Sequence, residues 1–548
     1  MTRSAVLFLL LVPYLAHAQH SHDTGSAPVK LVLLETGLGN VFHPVSTKNR
    51  KAQAFFNQGL AYIYAFNHAE AVKAFTHAAV LDPDLAMAYW GTALALGSNY
   101  NLPADSAALK QAYASLQRAK ELAPRASVRD RAYIEALSHR YAADPNSVDT
   151  KEINAAYKTA MGELVRKYPN DLDAATLYAE SMMNLRPWQL WTADGKPADG
   201  TLEIVSVLED VLRRNPNHVG ANHYYIHAIE ASRDPNRGLP SAKRLGGIAP
   251  NAGHLVHMPS HIYIRTGDYA EAARVNADAI VVDKKYISKN GPGGVYPMMY
   301  YTHNVHFLAS ANAMNGNYSV AIKTARQLHD IAMPMVSEMP MLEGFVSYPL
   351  VTLVRFRKWE VILREAAPAP ELKVMTAFYH FARGVAFAET GKPDEAKAEL
   401  AALSEVYKMI PADRPFGNST AVVVLKVAKE FLAGEAALAR GHKKDAIHEF
   451  EQAVLAENAV TYAEPPDWDL PSREWLGRAL LTDGQYAEAE KVYREELTVH
   501  PKNARALFGL TEALKKQNKN AATVQKEFRS SWTTADTKLT VTHLYFSK

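Results

Sequence analysis

The chain has 548 residues, 48% hydrophobic and 21% charged, with a formal net charge of +3 and no cysteine. That balance excludes wholesale disorder, and so small a charge leaves no electrostatic footprint for nucleic acid or an anionic membrane. The lack of cysteine excludes disulfides, thiolate metal ligands and cysteine nucleophiles, so stability must come from packing.

At the N-terminus, Arg3, the apolar stretch Ala5 to Ala16 and the small-residue site Ala16-His17-Ala18 predict a signal peptide over residues 1–18. The apolar run is short for a bilayer span, and no later segment is long enough. The expectation is therefore an exported protein, periplasmic or secreted, with no membrane insertion. Cleavage before Gln19 would leave Gln19-His20-Ser21-His22-Asp23, where a free amine and His20 form a weak Cu(II) candidate that reads first as a mobile tail. Residues 19–48 read as an N-terminal extension.

The clearest structural unit runs from Ala52 to Leu85. Phe55, Gly59, Tyr62, Ala71, Phe75, Ala78 and Pro83 recur there at spacings that resemble the 34-residue tetratricopeptide repeat. Small residues at Gly59 and Ala71 allow two antiparallel helices to approach, and Pro83 ends the second one. The turn signature Gly-x-Tyr-x-x-Ala returns at Gly267, Gly316 and Gly484, and weaker copies begin at Gly391 and Gly441. The predicted fold is all-α. The resemblance implies a right-handed superhelical solenoid of helical hairpins with inserted loops. On this reading residues 49–98 hold the first hairpins and 99–168 an atypical helical insertion. Residues 169–330 are central repeats, 331–425 degenerate repeats, 426–530 the last repeats and 531–548 a tail. Three stretches break the spacing and read as ordered loops: Leu185 to Gly200, Lys284 to Tyr300 and Tyr462 to Pro471.

Histidines concentrate in the central repeats, as His223 and His227 followed by Glu230, then His254, His257 and His261, then His303 and His306. Spacings of three, four and seven place each set on one helical face, provided Pro259 does not break its helix. Two or three imidazoles with a carboxylate suit Zn, Cu, Fe, Mn or Ni. All eight residues are therefore candidate metal ligands. The order of residues is neither the H-E-x-x-H zincin motif nor the Glu-x-x-His di-iron motif. His43, His68 and His77 read as structural.

Beyond the repeat, Phe66-Asn67-His68-Ala69-Glu70-Ala71, Met87-Ala88-Tyr89-Trp90-Gly91, Leu185-Arg186-Pro187-Trp188 and His257-Met258-Pro259-Ser260-His261-Ile262-Tyr263 resemble large exported bacterial tetratricopeptide proteins. The resemblance implies that the histidines line a concave ligand-binding surface. It also places Glu180, Asn184, Trp188, Tyr224, Tyr263, Arg265 and Tyr301 as candidate groove residues. Two functions follow. One is a scaffold that binds a peptide, protein or small molecule, with a His-coordinated transition metal or through a metal-free polar groove, the histidines otherwise being structural. The other is a metal-dependent hydrolase or oxidoreductase in which Glu180 or Glu230 is the base.

Overall fold

A computed structural model describes residues 32–544. The signal-peptide segment and Gln19-His20-Ser21-His22-Asp23 lie outside the described residues. Apart from a two-residue hairpin pairing Pro415–Phe416 with Ser419–Thr420, the regular elements described are all helices. They form two compact units. One takes the chain up to Ile262 and then Asp278–Tyr301; the other takes Tyr263–Ala277 and the chain from Thr302 onward. Within each, a helix packs mainly on its predecessor and its successor in sequence. No helix among the described residues is long and apolar enough to cross a membrane.

The first unit opens with the hairpin Arg50–Tyr64 and His68–Leu81. Asn67 starts the second helix by accepting from the Glu70 N–H at 3.4 Å, which satisfies one of its open donors. The buried ring of Phe75 sits so close to Gly59 that an added Cβ would stand 2.6 Å from it, so only glycine permits this approach. Phe56 and Trp90 close around the same core, Phe56 lying 5.3 Å from Phe75 and 6.4 Å from Trp90. Burying each such side chain stabilises the unit by roughly 2–3 kcal/mol. The hairpin ends at Leu81, two residues before Pro83.

Residues 99–168 contain three helices, Ser106–Leu122, Val128–Ser138 and Thr150–Lys167. The first packs back on Ala86–Leu96, and the third packs on Leu172–Met183. Of the three predicted loops, Lys284 to Tyr300 is mostly helical. The helix Tyr269–Asn290 continues to Gly291, and a π-helical turn follows at Tyr296–Tyr301. Gly291 (φ +98°) and Pro292 end the long helix, a later stop than the repeat spacing implies.

In the second unit the core gathers Phe378, Phe381, Phe431, Trp468 and Trp475. Trp468 comes from the stretch Tyr462 to Pro471 and packs edge-on against Phe381 at 5.4 Å. That stretch is therefore part of the core of its unit, and Asp467 accepts the backbone N–H groups of Asn418 and Ser419 at 3.1 Å each.

Candidate functional site

The helix Val219–Ile229 is buried along its whole length, and Glu230 caps it with helical backbone angles (φ −55°, ψ −41°). His223, His227 and Glu230 therefore share one face. The next repeat carries Gly253–His257 and Pro259–Arg265 as two helical segments joined by Met258, itself in right-handed helical geometry (φ −50°, ψ −34°). Pro259 thus begins a segment, where a missing N–H is tolerated. The helical course continues through it, with His261 N–H reaching the Met258 carbonyl at 3.2 Å. His254, His257 and His261 keep to one side.

These residues meet inside the first unit. His223 Nε2 lies 3.1 Å from His254 Nε2, and His257 Nε2 lies 3.0 Å from His261 Nε2. Glu230 holds two imidazoles at once: Oε1 is 2.8 Å from His227 Nδ1 and Oε2 is 2.5 Å from His261 Nδ1. His223 Nδ1 is 2.7 Å from the carbonyl oxygen of Tyr64. Ligand atoms of His223, His227 and His254 all lie within 4.8 Å of one another, as do those of His227, Glu230 and His261. All five histidines are no more than 2% exposed. The resemblance implied a concave ligand-binding surface; the cluster is enclosed.

The partners fix the tautomers. A carbonyl oxygen and an ionised carboxylate can only accept, so the Nδ1 atoms of His223, His227 and His261 carry the hydrogen. Burial opposes ionisation of Glu230, but His261 and the hydrogen bonds from His227 and His261 outweigh it and bring the carboxyl to about 2. Burial pushes the His227 imidazole down despite Glu230, and pushes His223 well down, aided by His227. In the neutral His223 and His227 rings Nε2 is then a lone pair. His254 donates to that of His223, and His257 and His261 share a hydrogen bond through their Nε2 atoms. His227 Nε2 is buried with no hydrogen-bond partner. Two nitrogens bound to one tetrahedral ion at about 2.0–2.1 Å would stand roughly 3.3 Å apart, close to both observed Nε2 pairs.

Aromatic rings wall the cluster. Phe66 stacks on His227 (5.9 Å, 19°) and His254 (5.6 Å, 24°) and meets His223 edge-on at 4.5 Å. Trp188 stands 5.7 Å from His227, Tyr100 5.1 Å from it, and Tyr300 4.7 Å from His254. Phe66 and Trp188 have φ of +54° and +60°, a left-handed conformation that costs a non-glycine residue about 1–2 kcal/mol. Phe66 occupies the turn position that is glycine in other repeats, such as Gly267, Gly316 and Gly484 at φ between +75° and +83°. An aromatic residue at that turn position was the sequence signal for Phe66, beside Trp188, which the sequence had already placed in the groove. The Tyr64 carbonyl carried none, because every residue has one.

Glu180 is buried, and burial raises its carboxyl, opposed by Arg140 and Asn184. One of its oxygens contacts the Asn184 amide and the other has no partner. Tyr224 stacks on Phe66 at 5.7 Å with its hydroxyl unpartnered. Tyr301 is half-buried at the end of its π-helical turn. Tyr263, Arg265, His303 and His306 belong to the second unit. There Arg265 lies over the Tyr462 ring at 5.7 Å, His303 packs on Phe307 at 5.0 Å, and His306 packs on Tyr348 at 4.5 Å. His43, His68 and His77 have structural surroundings: His43 Nδ1 meets Asp173 at 2.9 Å, His68 Nδ1 the Ala95 carbonyl at 2.9 Å, and His77 packs on Phe55.

The tetratricopeptide repeat pattern matches residues 52–85 and 476–527. No curated protein matches the sequence. Among solved structures, the human IFIT1 dimer with m7Gppp-AAAA is 13% identical at a TM-score of 0.35, covering 89% of this chain and 91% of that one. The yeast Tom70 structure is 13% identical at 0.28, covering 88% and 98%. The Cut9–Hcn1 assembly is 12% identical at 0.27, covering 88% and 74%. The chain is a tetratricopeptide repeat protein by its matched repeats and its succession of hairpins, and these distant likenesses add nothing about function.

Proposed function

We propose that this protein is an exported tetratricopeptide scaffold whose first unit holds a transition-metal ion among His223, His227, His254, His257 and His261. Glu230 orients the ligands and does not bind the metal itself. The observation that carries this reading is the gathering of imidazoles in one enclosed cluster, where ligand atoms of His223, His227 and His254 lie within 4.8 Å of one another and His227 Nε2 has no partner. Histidine ligands of metal sites are held by oxygen acceptors, which set the tautomer and raise ligand basicity. Five imidazoles without thiolate suit Zn, Cu(II), Ni or Fe better than Ca or Mg. The repeats supply the scaffold, and tetratricopeptide domains generally bind peptides or proteins, so a protein or peptide is the proposed partner.

The test is elemental analysis of untagged full-length protein, stripped and then reconstituted separately with Zn(II), Cu(II), Fe(II) and Mn(II). Retention of about one equivalent or more after desalting is expected for at least one metal. Loss of that metal in His227→Ala, with the helical circular dichroism unchanged, would support the assignment. Far less than one equivalent for every metal would overturn it.

Glu180 favours a second reading as a metal-dependent hydrolase. Its buried carboxyl has a raised pKa and an unpartnered oxygen, and it interacts electrostatically with Tyr224, whose ring lies 5.3 Å from His223. A base that works near neutral pH needs such a shift. Glu180→Gln would then abolish turnover of a chromogenic ester while leaving metal content unchanged.

A further inference from the structure

The second unit contains a cavity of about 410 Å³, a size suited to a small molecule. Its wall includes Arg355, Arg357, Arg478, Arg505 and Lys538, against the carboxylates of Glu474 and Asp536. Most of these guanidinium groups have acidic partners: Arg355 meets Glu474 at 3.2 Å, Arg357 meets Glu389 at 2.5 Å and Arg478 meets Glu389 at 2.6 Å. Arg505 differs. Its Nη2 donates to the Arg355 carbonyl oxygen at 2.9 Å, and its plane lies over Phe356 and Trp532 at 5.2 and 5.4 Å. Its Nη1 is buried with no hydrogen-bond partner, and no carboxylate among the described residues pairs with it.

A desolvated guanidinium flanked by other cations and paired with no carboxylate is costly. Burial and the charges of Arg355 and Arg357, opposed by Glu474, lower the Arg505 pKa to about 9. Stacking on two rings offsets part of the cost. A planar fork on a cavity wall, with one N–H that has no partner, matches a carboxylate or phosphate. The same wall carries Trp475, Phe508 and Leu544, which could cover an apolar body.

We propose that this cavity binds a small organic oxyanion, a carboxylate or phosphate monoester on an apolar group, with Arg505 as the principal anion ligand. The site is independent of the histidine cluster, and its test does not depend on metal.

Phenyl phosphate and phenylacetate would be titrated calorimetrically into the full chain at low salt, with benzyl alcohol as the neutral control. Saturable binding of one or both anions is expected, and the tighter one identifies the headgroup. Arg505→Met should weaken that binding about tenfold or more, and without anion it should melt no lower than the parent, because it removes an uncompensated charge. Arg505→Lys keeps the charge without the fork, so it should bind more weakly than the parent even if the methionine variant fails to fold. Absence of saturable binding, equal binding of benzyl alcohol, or affinities unchanged in Arg505→Lys and Arg505→Met would each overturn the proposal.

Discussion

His227 Nδ1 stands 2.8 Å from Glu230 Oε1, and this contact leaves the opposite nitrogen of the ring, Nε2, as a buried lone pair. The other oxygen of Glu230 accepts from His261 Nδ1. Glu230→Gln keeps the volume but offers only one acceptor oxygen, so one imidazole is left to rotate or change tautomer. Metal affinity is expected to fall about 10–100-fold, with a stability loss of about 1–3 kcal/mol. Competition against a chromogenic chelator reads the first effect and thermal unfolding the second. Unchanged affinity in a folded variant would remove Glu230 from its positioning role.

Phe66 offers a sharper test, because its backbone and its ring pull in opposite directions. Truncation of a buried phenylalanine costs about 3–5 kcal/mol. Ordinarily alanine is the better replacement than glycine, but at φ +54° the order should invert. Phe66→Gly is expected to be about 1 kcal/mol more stable than Phe66→Ala. Denaturant unfolding of the pair checks this directly, and the usual order would show that the turn relaxes.

Tyr64 supports the cluster through its backbone and not through its side chain. Its carbonyl oxygen accepts from His223, whereas its hydroxyl donates to Asp173 at 2.5 Å. Tyr64→Phe should therefore lower stability by about 1–3 kcal/mol through the partner lost to Asp173. Metal affinity should stay within about threefold of the parent. A large loss of metal in a folded variant would place the hydroxyl, or Asp173, in the site.

In the second unit, burial raises the Asp467 carboxyl to about 7, against the N–H groups of Ser419 and Asn418 that favour its charge. The folded value lies above the unfolded one of about 3.9. The fold therefore favours the protonated acid, and its ionisation costs stability increasingly as pH rises from about 4, levelling off above about 7. Asp467→Asn should gain melting temperature relative to the parent over that window. A difference that does not vary between pH 4.5 and pH 8 would show that the carboxyl is not shifted.

The sequence by itself determined the helical hairpins, the glycine turns and the sharing of a face by His223, His227 and Glu230. It did the same for His254, His257 and His261. These are consequences of a 3.6-residue period and of local sterics, which depend on neighbours a few positions away. The helical end at Asn290 was not legible, because repeat spacing says nothing about a helix that overruns its repeat. Tertiary structure alone decided what the histidines mean. The acceptor for His223 comes from Tyr64, 159 residues away, and that for His261 from Glu230, 31 residues away. It also decided that Phe66 and Trp188 wall the cluster and that Arg505 pairs with no carboxylate among the described residues. Tautomer, desolvation and charge balance depend on which groups surround an atom in space, and periodicity along the chain carries no record of them.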